Sequence, residues 1–69
     1  MREVIVLIVG DYLHTYINIE FNTVEELDKL IDEAIEELKI GFVSAVIEDS
    51  ENFTQEEIKF LQELDVEIY

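Results

Sequence analysis

Residues 24–38 set apolar side chains at Val24, Leu27, Leu30, Ile31, Ala34, Ile35 and Leu38, the three-and-four spacing of an amphipathic helix of about four turns. Such a stripe cannot bury itself, so the rest of the chain must supply a surface that covers it. Thr23 and Glu26 form a capping-box pattern at the start of this helix. Gly41 stands just past its end, where a left-handed residue would close it.

The covering surface reads as a sheet. Glu3–Val9 is dominated by Val and Ile, Tyr12–Phe21 alternates in type, and only Gly10-Asp11 separates them. Gly followed by Asp suits a two-residue type II′ hairpin loop, which sets Val9 opposite Tyr12, Leu7 opposite His14 and Ile5 opposite Tyr16. One face of that hairpin carries Val4, Val6, Ile8, Leu13, Ile17, Ile19 and Phe21, the core face. The other carries Ile5, Leu7, Val9, Tyr12, His14 and Tyr16, too apolar to be freely solvated and therefore a candidate for partner binding or self-association.

Phe42–Glu48 reads as a third strand, Asp49–Asn52 as a polar loop and Val66–Tyr69 as a closing strand. Between loop and closing strand, a short helix over about 55–64 should bury Ile58, Leu61 and Leu64. Thr54 with Glu57 makes a second capping box, with Phe53 as a hydrophobic staple onto Ile58. The order is β-β-α-β-α-β in a single domain spanning residues 1–69. Right-handed crossovers place both helices on one face of a mixed four-stranded sheet. The expected fold is an α+β two-layer sandwich whose far sheet face lacks a cover.

Charge narrows what such a domain can bind. Four Lys and Arg against eighteen Asp and Glu give a net charge of −14. With 49% hydrophobic residues, the chain still has enough apolar surface to fold. Direct nucleic-acid binding is excluded for want of cations to displace phosphate counterions, and docking on anionic lipid for the same reason. Thirteen Glu against five Asp is not the balance expected of adaptation to high salt.

There is no Cys, so a disulfide framework, a thiolate nucleophile and a cysteine-ligated zinc site fall away. The longest apolar run, Val4–Val9, is far short of the roughly 20 residues of a membrane span. Met1-Arg2-Glu3 does not open a signal peptide. The expected location is cytoplasmic.

One His and two Gly, Gly10 and Gly41, allow neither a Walker loop nor a GxGxxG turn, and leave Ser44 and Ser50 only His14 as a base. The acidic loop Glu48–Asn52 lacks EF-hand spacing. The expectation is a non-enzymatic protein without cofactor or bound metal.

Opposite the apolar stripe of the long helix lie Glu25, Lys29, Asp32, Glu33 and Glu36, flanked by Glu26 and Glu37. Like-charge pairs four residues apart, Asp28/Asp32, Asp32/Glu36 and Glu33/Glu37, each cost a few tenths of a kcal/mol, and only Glu25/Lys29 has favourable signs. The helix is thus not tuned for its own stability. Its carboxylates from Glu25 to Glu36 extend roughly 16 Å at 1.5 Å per residue, long enough to imitate several phosphates of a nucleic acid. The candidate partner-binding residues are Glu25, Glu26, Asp32, Glu33, Glu36 and Glu37, and the partner is a protein with a basic groove.

In its acidic helix Val24–Glu37, its size and its near absence of Lys and Arg, the chain resembles the small acidic phage-encoded inhibitors of host defence nucleases, the anti-CRISPR and DNA-mimic antirestriction proteins. The resemblance is one of class and covers about a quarter of the sequence. It implies a nuclease or another nucleic-acid-binding protein as partner, and no particular fold or residue roles. The alternative from the residues is a small interaction module, an accessory or antitoxin-like subunit, that associates through Ile5, Leu7, Val9, Tyr12, His14 and Tyr16, with a homodimer as one form.

Overall fold

The computed structural model describes residues 1–39, 41 and 43–69. Strands β1 (Arg2–Val9) and β2 (His14–Phe21) are followed by helix α1 (Val24–Leu38), strand β3 (Ser44–Ile47), a single 3₁₀ turn (Ser50–Asn52), helix α2 (Gln55–Glu63) and strand β4 (Val66–Ile68). This is the β-β-α-β-α-β order. The sheet runs β2-β1-β3-β4, with β1 antiparallel to both neighbours and β3 parallel to β4. Both helices lie on one face: Leu27, Ile31 and Leu61 share a single buried cluster with Val4, Val6, Ile8, Ile19, Phe21, Ala45 and Ile47.

The hairpin departs from expectation in one respect. No glycine takes a positive φ, so the type II′ turn does not form. The chain instead turns through four residues, Gly10–Leu13, and the Gly10 N–H donates to the Leu13 carbonyl at 2.7 Å. Pairing slides by two residues, to Val9 opposite His14, Leu7 opposite Tyr16 and Ile5 opposite Asn18. This register sets Ile19 against Val4 and Ile17 against Val6, and extends the ladder to Arg2 opposite Phe21. On the core face it holds two apolar pairs, the same number that the tighter hairpin would hold with Ile8/Leu13 and Val4/Ile17, and it gains Phe21 as a paired residue. Because the slip is even, every strand residue keeps its face; only Leu13 and Tyr12 leave the strand, both for the exposed turn.

α1 begins and ends at the expected residues. Thr23 caps it by accepting from the Glu26 N–H at 3.2 Å, but the reciprocal bond from the Glu26 side chain is not made, so the cap is half a box. Lys39, not Gly41, takes the left-handed conformation (φ 53°), and its N–H donates to the Glu36 carbonyl. Gly41 has ordinary φ.

The box at α2 is complete. The Glu57 N–H donates to Thr54 Oγ1 at 3.2 Å, and the Thr54 N–H donates to Glu57 Oε1 at 3.0 Å. Phe53 is buried just ahead of it, with Ile58 packed against the same cluster.

α2 stops at Glu63. Leu64 then remains 42% exposed, because the chain must leave the helix axis there: Asp65 turns through φ 67° to start β4. β3 is shorter than expected; Glu48 lies outside it and Phe42 lies outside the described residues. The Tyr69 N–H continues the ladder one residue beyond β4, donating to the Ile47 carbonyl at 2.9 Å.

Candidate partner-binding site

α1 turns Val24, Leu27 and Ile31 into the core, and its period therefore directs the opposite side outward. Glu25, Glu26, Asp32, Glu33, Glu36 and Glu37 lie on that side or at its margin. Among the described residues, Arg2–Glu57 is the one ion pair. The Glu25/Lys29 pair that the spacing allows is not formed, which leaves the row of carboxylates without a neutralising contact. Asp28, at the border of the stripe, is held above the usual carboxylate range by burial and then by Asp32. Glu33 and Glu37 also flank a groove that α1 forms with Ile17, Asn18, Ile19 and Glu20 of β2, so the acidic surface runs on from the helix to the sheet margin.

Among the described residues, the opposite face of the sheet has no layer over it. Register brings Tyr16, Leu7, Val46 and Glu67 into one row across all four strands, with Ile5 and Asn18 on the next row. Ile5 is 55% and Tyr16 63% exposed, whereas Leu7 and Val9 are half-buried by their neighbours. Ile5, Leu7, Tyr16 and Val46 line an open groove of about 620 Å³, with Glu3 and Glu48 at its rim. Of the residues expected on this face, Tyr12 is the exception: it sits fully exposed in the turn, since the longer loop removes it from the ladder. Val46 is the addition. Apart from Ser44, residues 43–47 are an apolar run, and such a run does not say which residues face away from the helices.

Arg2 and Glu57 form a constellation that the sequence does not announce. Two parallel bonds, Nη1 to Oε1 at 2.9 Å and Nη2 to Oε2 at 2.8 Å, join them, and Nη1 also donates to the Asn52 carbonyl. The guanidinium lies 4.9 Å from the centre of the Phe21 ring and 5.8 Å from that of Phe53; the two rings are stacked. The Arg2 bonds, joined by the Thr54 N–H, lower the Glu57 carboxyl to about 2. This is a clamp between β1 and the start of α2. It removes one of the chain's few cations from any role in binding.

Among the described residues, no three His, Asp or Glu side chains converge as metal ligands, and no helix is long and apolar enough to cross a membrane. No family model, curated protein or solved structure matches the chain.

Proposed function

We propose that this chain is a non-enzymatic, cytoplasmic binding protein that blocks a nucleic-acid-binding protein, such as a nuclease, by laying the acidic face of α1 in its basic groove. The observation that carries this reading is the run of unneutralised carboxylates from Glu25 to Glu37 on the outer side of a helix. A preorganised line of charge pairs with cationic grooves and repels anionic surfaces, which gives both steering and selectivity. It is also the electrostatic logic of the DNA-mimic inhibitors that the sequence resembles.

The test is a low-salt capture from host lysate, eluted first with duplex DNA and then with salt. A nucleic-acid-binding protein leaving in the DNA step, and missing when the bait carries Glu33→Lys and Glu36→Lys, is the expected result. Binding that DNA does not displace, or that the reversed helix retains, overturns the reading. A second reading draws on the exposure of Ile5 and Tyr16: an interaction module that docks a partner on the open sheet face. In that case Leu7→Asp, and not the charge reversals, abolishes capture.

A further inference from the structure

The sheet has two edges of unequal character. β4 is only three residues long, but β2 presents eight residues, His14–Phe21, with no Pro, no Lys and no bulge to blunt it. The bond from Gly10 to Leu13 fixes which groups it presents. Alternation along the ladder directs Thr15, Ile17, Ile19 and Phe21 toward β1 and turns the backbone N–H and C=O of His14, Tyr16, Asn18 and Glu20 outward. Among the described residues, nothing pairs with these outward groups.

We infer that the β2 edge pairs with the β2 edge of a second copy of this chain, antiparallel about a two-fold axis at Ile17, to make one continuous sheet from two four-stranded ones. The register follows from the residues. Only pairing His14 with Glu20 of the second copy, and Tyr16 with its Asn18, engages all four outward-facing residues of both strands. That same register sets an imidazole opposite a carboxylate at each end and a phenol opposite an amide on either side of the axis. Like charges never meet within the paired strands. On the core side, Ile17 meets its own equivalent.

The axis stands perpendicular to the sheet, so α1 and its symmetry mate lie on the same side. Glu33 and Glu37, which border β2, then approach their counterparts. Association therefore opposes a repulsion that salt screens, and it tightens as salt rises. This is the reverse of what mimicry of nucleic acid requires, so the two proposals stand or fall separately.

Sedimentation equilibrium across a concentration series at low and high salt is the test, with hydrogen exchange by NMR alongside. The expected result is a mass moving from 8.1 kDa to twice that value, more readily in high salt. The outward amides of Tyr16, Asn18 and Glu20 should become protected in the dimer. Asn18→Pro removes an outward N–H that the monomer does not use, so it should keep the monomer's circular dichroism and weaken the dimer by about 10-fold or more. His14→Glu should weaken the dimer at neutral pH, and His14→Glu with Glu20→Lys should restore it.

A mass of 8.1 kDa at every concentration and salt overturns the inference. So does a dimer that survives Asn18→Pro and is lost in Leu7→Asp, an outcome that assigns association to the open sheet face.

Discussion

Arg2 ties the first strand to the second helix across 55 positions of sequence. Its pair with Glu57 is only partly exposed and has bidentate geometry, the arrangement in which an ion pair is worth most. The sign of its pH dependence follows from the carboxyl. A folded value of about 2 against an ordinary 4.5 means that the contribution is complete above 4.5 and is lost as pH falls toward 2. Arg2→Met should cost about 1–2 kcal/mol at pH 7 after allowance for solvent screening, and this gap between wild type and variant should narrow toward pH 2 in urea melts.

Asp28 runs the other way. Its raised value favours the folded state only once it is protonated, so Asp28→Asn should stabilise at pH 7 and lose that advantage in acid. None of this is legible from spacing. Arg2 reads as one cation among four and Glu57 as a capping residue; only the packing of Phe21 on Phe53 brings the two together.

The two helices illustrate what local chemistry encodes well. The period of α1 and the threonine caps of both helices act within four or five residues, and their starts follow directly from the sequence. The left-handed turn that closes α1 does not, because Lys39 adopts it two residues before the glycine that is free to do so. The polar side of α1 carries unfavourable pairs, which leads to an expectation separating fold from function. Replacing Glu33 and Glu36 by Lys removes the Glu33/Glu37 and Asp32/Glu36 repulsions and places a cation near the negative end of the helix dipole. Thermal unfolding should occur at an unchanged or higher temperature, by up to ~1 kcal/mol in stability, even as capture of a basic partner is lost. A variant that unfolds would make the carboxylates part of the scaffold.

Across the whole molecule, repulsion among carboxylates governs how stability responds to salt. A net charge of −14 on 69 residues destabilises any compact state, and salt relieves it. The melting temperature should climb by about 5 °C or more between 20 mM and 500 mM NaCl, since 1 kcal/mol shifts a domain of this size by roughly 4–8 °C. A melting temperature independent of salt would mean that the carboxylates are too widely separated to interact. The surface is unevenly divided, with a continuous row of carboxylates on the helix layer and apolar groups interspersed with Glu3, Glu20 and Glu67 on the open sheet face. That division depends on the strand order, which sets Val46 beside Leu7 and leaves β2 at the edge.

By itself, the sequence determined the element types, both helix starts, the α+β layering and the sides on which hairpin residues lie, because each depends on period or capping chemistry read over a few neighbours. Tertiary structure decided the four-residue turn and its register, the order β2-β1-β3-β4 and the Arg2–Glu57 clamp. These result from contacts between distant segments: the register that brings Phe21 into the ladder beside Arg2 replaces the tighter turn, and no short stretch of residues records that outcome.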